Sequence, residues 1–175
     1  MYQQKNMQEE IEMSNFRVER KEGFRLVGYR TALEGSSNAH SPQFTSQKTT
    51  FFLGAIENGQ MALLRPLAEG SYGYAAIAVE KGNVFYYAGV KTSQPALDQT
   101  EEVLFPESDY LVLTGNGGLS RLAFDRLEDQ AFNDLLNEDY EWAYTGAPIA
   151  EILLNGNPAD AQVEVWVPVK KRDDR

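Results

Sequence analysis

Chemistry could reside in the last third of the chain, where acids and rings lie close in sequence. Residues 147–170 read APIAEILLNGNPADAQVEVWVPVK, two strand-like runs around the turn formers Asn155-Gly156-Asn157-Pro158-Ala159-Asp160. In the second run Val163, Val165, Val167 and Val169 alternate with Gln162, Glu164, Trp166 and Pro168, the period of a strand with one apolar face. A symmetric loop sets Leu154 opposite Ala161 and Glu151 opposite Glu164, so two carboxylates share the face that carries Trp166. Like charges directly opposite in a sheet are unfavourable, which asks for a reason beyond structure. In an apolar cleft burial resists ionisation, and a second carboxylate raises at least one pKa further. Such a pair could hold a lipophilic cation, or keep a proton near neutral pH for general acid–base work. The bland alternative is that one of them faces solvent or pairs with Arg25 or Arg30.

Rings form the second constellation. Runs 72–80 and 83–90 flank Lys81-Gly82 and read as a hairpin in which Glu80 faces Asn83. One face then carries Ala75, Ile77, Val79, Val84, Tyr86 and Ala88, a surface for a helix. The other sets Tyr87 opposite Ala76 and Phe85 opposite Ala78, with Tyr72 and Tyr74 alongside, large beside small. With Trp166 these rings could form an aromatic cage, worth about 0.5–2 kcal/mol per cation contact, or ordinary packing between two halves. Trp142, between Tyr140 and Tyr144, could form its rim. His40 is the only histidine and sits in a Ser/Asn/Pro loop. With no cysteine and no second histidine the chain predicts no zinc site, no other metal and no cofactor. Gly115-Asn116-Gly117-Gly118 lacks the spacing of a phosphate-binding loop and reads as a turn.

The elements that must position these residues fit one domain. The chain has 175 residues, 42% hydrophobic and 24% charged, enough for a substantial core. No apolar run reaches the roughly 20 residues of a membrane helix, and the polar start does not resemble a signal peptide. These features and the lack of cysteine predict a cytoplasmic protein. A net charge of −10 argues against direct nucleic-acid binding and favours cationic ligands, a separate basic protein partner, or nothing beyond solubility.

Residues 1–15 read as a tail. Extended runs follow over 16–20 and 24–31, then a loop over 34–42. A helix is predicted over 45–57, with Phe52, Leu53 and Ile56 on its apolar side and Asn58-Gly59 as its stop. A polar connection over 91–108 precedes a strand over 109–115. A second helix is predicted from the capping-box-like Asp125-Arg126-Leu127-Glu128 to about Trp142. The order strand, helix, hairpin occurs twice, giving halves at about 16–92 and 108–171. This predicts an α+β domain of two pseudo-symmetric βαββ units, a helix on each and a ligand cleft between.

The segments Tyr72-Gly73-Tyr74, Phe85-Tyr86-Tyr87-Ala88-Gly89-Val90, Phe105-Pro106-Glu107-Ser108-Asp109-Tyr110 and Val163-Glu164-Val165-Trp166-Val167-Pro168-Val169, with Gly28-Tyr29, together resemble GyrI-like small-molecule-binding domains over residues 16–171. That family includes effector domains of bacterial multidrug-responsive regulators, stand-alone binding proteins, a gyrase inhibitor and some hydrolases of strained natural products. The resemblance implies a curved sheet around an aromatic cleft with a buried glutamate, matched here by Glu151, while Glu164 matches a frequent glutamate of the last strand. Leu153 stands where the family often has an aromatic. The expectation is thus a stand-alone protein binding flat, lipophilic small molecules, cations included, through Glu151, Glu164, Trp166, Tyr72, Tyr74, Phe85, Tyr87 and Trp142. The alternatives are a hydrolase with Glu151 as general acid–base and an acidic inhibitor of a DNA-acting enzyme. The run before Phe16 is too short for a helix-turn-helix, so DNA contacts would fall to another chain.

Overall fold

The architecture follows from two leading strands that are exchanged between the halves. The structure, a computed structural model, describes residues 15–172; the rest of the expected tail, 1–14, lies outside the described residues. The first βαββ unit is β2 (Phe24–Leu33), α1 (Thr45–Glu57), β3 (Gly73–Glu80) and β4 (Asn83–Lys91). The second is β6 (Ser108–Asn116), α3 (Ser120–Asp129), β8 (Ile149–Leu153) and β9 (Gln162–Lys171). A short helix α2 (Gln60–Leu64) follows α1, and a short strand β7 (Trp142–Tyr144) pairs with β9. Before the first unit runs β1 (Phe16–Lys21), yet it pairs with β6 of the second; before the second runs β5 (Glu101–Phe105), yet it pairs with β2 of the first. The antiparallel sheet has the order β1-β6-β9-β8-β3-β4-β2-β5, with the halves joined at β3–β8.

This exchange curls the sheet. Lys21 pairs with Ser108 and Phe24 with Phe105, so the starts of β2 and β6 meet at one corner although they lie far apart in the strand order. Phe24 on β2 and Trp166 on β9, with three strands between them, stand 5.6 Å apart edge to face. Phe24 stacks on Phe105 at 4.4 Å. Tyr74, Tyr87, Phe105, Tyr110 and Ile152 are buried on this inner face. The opposite face lies beneath α1 and α3 and holds Ile77, Tyr86, Leu113, Ile149, Val163, Val165 and Val167. The result is a half-barrel, α+β as the sequence predicts.

The first hairpin has the expected register, with Ala76 opposite Tyr87 and Ala78 opposite Phe85. The closing hairpin is slipped by one residue. Glu151 pairs with Val165, and Glu164 with Ile152. The cause is the loop between them. Leu154 N–H donates to the Gln162 carbonyl at 2.8 Å, while Ala161 turns away to exchange bonds with Gly117 and Gly118 at 2.8 and 3.0 Å. The Asn155 side chain seals the loop by accepting from Gln162 N–H at 3.1 Å and donating to the Asp160 carbonyl at 3.0 Å. Since side chains alternate, one residue of slip moves Glu151 to the opposite face from Glu164.

The helices also depart from expectation. Gly59 at φ 81° ends α1 as predicted, but α1 turns Lys48 and Ala55 inward and leaves Leu53 and Ile56 about half exposed. The second helix begins at Ser120 rather than Asp125, and after Asp129 widens into a turn over Gln130–Leu135, with Leu136 N–H bonding to the Ala131 carbonyl. Trp142 is therefore a strand residue. The connection over 91–108 contains β5.

Gly28 and Gly89 face each other across β2 and β4. A methyl group on Gly89 would collide with the Val27 carbonyl, and one on Gly28 with the Ala88 carbonyl. Gly89→Ala is expected to destabilise the fold by about 1–3 kcal/mol, read as a lowered urea midpoint, whereas Gly54→Ala, where a methyl meets open space, is neutral or stabilising.

Candidate functional site

Burial under the helices gives Glu151 its chemistry. It stands mid-strand on β8, its side chain fully buried. Strand pairing puts it on the face of Tyr86, and α1 and α3 bring Lys48 and Arg121 over it. The Arg121 guanidinium grips the carboxylate in a fork, Nη1 to Oε1 at 3.0 Å and Nη2 to Oε2 at 2.6 Å. Tyr86 donates its hydroxyl to Oε1 at 2.8 Å, and Lys48 Nζ reaches Oε2 at 3.3 Å. A carboxylate has about four lone-pair positions; four donors occupy them here.

A second buried carboxylate does stand beside Glu151, but it is Glu128. Its side chain is fully buried, and Lys48 Nζ lies 3.2 Å from its Oε1. His40 brings Nδ1 to 3.6 Å of the same oxygen and Nε2 to 2.6 Å of Asp129 Oδ1. The His40 ring also stacks on Phe132. Glu128 Oε2 makes no hydrogen bond, and Arg121 Nη2 lies 3.7 Å from it. Asp125 anchors the cluster's edge, accepting from Arg121 Nε at 3.0 Å and from the Thr45 hydroxyl of α1 at 2.7 Å.

These contacts divide the two carboxyls. Burial opposes ionisation of Glu151, but Arg121 and Lys48 outweigh it and hold its pKa well below the usual carboxylate range. Burial, then the charge of Glu151, pushes Glu128 up to about 7. Of the two, Glu128 is therefore the carboxyl that holds a proton near neutrality. Contact with Glu128, and next its bond to Asp129, raises the His40 pKa above its ordinary value. Burial, then Glu151, keeps the Tyr86 hydroxyl protonated well past its usual range.

The remaining sequence-predicted residues lie elsewhere. Tyr74, Phe85, Tyr87, Trp166 and Glu164 share the inner face of the curled sheet, as strand register requires. There Trp166 Nε1 donates to Glu164 Oε1 at 2.9 Å, Lys21 Nζ lies 4.0 Å from the indole centre, and Arg30 covers Phe85. Tyr72 is partly exposed beside Tyr74. Trp142 packs at the margin of the helix-side core, with Lys171 near its ring. The predicted cage rings thus assemble without Glu151, which assembles instead with Lys48, Arg121 and the Tyr86 hydroxyl. Sequence reasoning passed over Lys48, Arg121 and Glu128. A signal existed: Arg121, Asp125 and Glu128 recur at helical spacing among Ala123, Phe124 and Leu127.

The curled antiparallel sheet with helices over one face is the α+β fold of GyrI-like small-molecule effector-binding domains. The chain belongs to the integron-associated effector binding protein family (Cass2), which matches residues 17–169. Among solved structures it is similar to SAV2435 bound to tetraphenylphosphonium, at 18% identity and a TM-score of 0.73 over 89% of this chain and 93% of that one. An integron cassette protein from the mobile metagenome of Vibrio cholerae follows, at 12% identity, a TM-score of 0.62 and coverage of 89% and 96%. The C-terminal domain of EcmrR, a protein also solved with DNA, gives 12%, 0.56, 90% and 98%. At such identities these structures share the fold. No curated protein matches the chain in sequence. No described helix is long and apolar enough to cross a membrane.

Two outcomes are expected from the cluster. Glu151→Gln leaves Arg121 and Lys48 short of buried charge and should cost about 3–5 kcal/mol of stability, measured by denaturant unfolding. The second concerns pH. Glu128, whose folded pKa is raised from 4.5 to about 7, keeps its proton where the unfolded chain has lost it. Its contribution therefore falls as pH rises through that window, by up to about 1.4 kcal/mol per unit. His40, also raised, acts in the same direction at higher pH. Glu128→Gln, which mimics the protonated carboxyl, should flatten the decline between pH 4.5 and 7; an unchanged urea-midpoint profile would place the proton elsewhere.

Proposed function

We propose that the chain binds a flat, lipophilic small molecule in the seam between α1 and strands β2 and β4, above Tyr86 and Glu151. The observation that carries this reading is the position of Phe51. Its side chain lines a surface groove of about 480 Å³ together with Thr31, Ala32, Glu34, Gln47 and Thr50. On its other side its ring meets Tyr86 edge-on, with centroids 6.2 Å apart, and Tyr86 donates to Glu151. A single aromatic side chain separates the groove from the buried cluster. Outward displacement of Phe51 would open a slot with an aromatic wall and a polar floor, the usual composition of a ligand site.

The character of α1 supports the same reading. It buries Lys48 and Ala55 and exposes Leu53 and Ile56, so little apolar area holds it down, as expected of an element that moves on binding. The relative SAV2435 has been seen with a lipophilic aromatic molecule, tetraphenylphosphonium. In this reading Tyr74, Phe85, Tyr87, Trp166 and Glu164 shape the inner face of the sheet rather than touch the ligand, and Tyr72 and Trp142 lie outside the seam. Should the cluster serve hydrolysis instead, its mobile proton would come from Glu128, since Glu151 is held ionised. The acidic composition opposes direct DNA contact by this domain, so any role in transcription would draw its DNA contacts from elsewhere.

Nile red, an uncharged flat dye that brightens in apolar surroundings, tests the site. Saturable brightening with the wild type is expected. Phe51→Ala should tighten binding at least threefold by vacating the ring's place, while Trp166→Phe and Tyr74→Phe should leave affinity within twofold. Loss of binding in the last two, with Phe51→Ala silent, would move the site to the inner face of the sheet.

A further inference from the structure

The donor set around Glu151 bears on which ligands the proposed seam accepts; this inference rests on that reading. Arg121 meets Glu151 with two parallel bonds at 3.0 and 2.6 Å, the strongest geometry available to a carboxylate and a cation. Tyr86 and Lys48 supply the other two donors. No acceptor position of Glu151 is left for a ligand. Arg121 is also fixed in place: its Nε and Nη2 bond to Asp125, which is itself held by the Thr45 hydroxyl. Its side chain is 13% exposed and that of Lys48 2%, so both charges are poorly screened and act at close range.

We propose that Arg121 is a built-in occupant of the glutamate site, a specificity-determining residue that stands where the charge of a cationic ligand would stand. Lys48 reinforces it at the same carboxylate oxygen, Oε2, from α1. A lipophilic cation arriving over Tyr86 would meet two buried positive charges and a carboxylate whose lone pairs are taken. To use Glu151 it would have to strip a guanidinium and leave it buried without a partner, the costly half of breaking an ion pair. An uncharged aromatic molecule meets no such opposition. The site is thus selective for uncharged aromatic molecules over cations of similar size.

Tetraphenylphosphonium and its uncharged analogue triphenylphosphine oxide test this by isothermal titration at pH 7.5 and fixed ionic strength. The wild type is expected to bind the oxide at least tenfold more tightly than the cation. Arg121→Met should improve affinity for the cation at least tenfold while changing that for the oxide less than threefold. Adding Glu151→Gln to Arg121→Met should remove the gain, because the uncovered carboxylate produces it. A wild type that binds the cation as tightly as the oxide overturns the inference and needs no folded variant; so does a gain that survives Glu151→Gln, since it would then come from space rather than charge. Equal affinities with binding intact remove only the role of Arg121. Absence of binding by both probes to every protein removes the site itself, and the role of Arg121 with it.

Discussion

The fork between Arg121 and Glu151 is the interaction on which the helix side of the molecule depends. It joins the second helix to the centre of the sheet, and Lys48 extends it to the first helix through Glu128. Burying such charges is rarely a route to stability, since well-packed apolar side chains of similar volume often do as well or better. What the network supplies is position. With Lys48, Arg121 and the two carboxyls in contact, α1 and α3 have one way to sit over β4 and β8, and a helix as weakly apolar as α1 acquires a defined rotation. That the chain places four ionisable groups here, in a fold otherwise built of valines and rings, is the physical ground for reading the region as functional.

The two faces of the sheet divide their tasks accordingly. The inner face is filled by its own aromatics and closed by the corner where β2 and β6 begin; it sets the curl. The outer face is polar at its centre; α3 covers it with Phe124, Leu127 and Ala123, whereas α1 is held more by Lys48 than by apolar area. Charge contacts are sensitive to protonation and to competing donors in a way that ring packing is not. Glu128, with its pKa near neutrality, makes the helix side responsive where the inner side is inert.

Much of this was legible in the chain. The hairpin of β3 and β4 declared its register through Lys81-Gly82, a two-residue turn that leaves no freedom. The loop between β8 and β9 has no such constraint. Its parity is decided by Ala161 bonding to the distant glycines 117 and 118, a tertiary contact that local sequence does not carry, and parity alone decides which face Glu151 takes. The buried partner of Glu151 was invisible for a related reason. Glu128 looks like an ordinary N-terminal capping residue if the helix starts at Asp125, and becomes an inward-facing acid only when it starts at Ser120, after Gly117-Gly118. Lys48 was hidden by the rule that lysines face water, which fails when two acids wait beneath. Tyr86 was placed on the correct face, yet as packing.

The exchanged leading strands bear on how the domain can be assembled and inherited. Each half lends a strand to the other, so neither βαββ unit is complete by itself, and a chain severed between β4 and β5 would give two pieces that complement each other rather than two small domains. The pairing of β1 with β6 must also wait until most of the chain has been made, which favours late, all-or-none closure of the half-barrel over stepwise growth from the N-terminus. The two units are in this way indivisible: the symmetry lies in the backbone, while the chemistry under the helices, with Lys48 on one side and Arg121 and Glu128 on the other, is asymmetric.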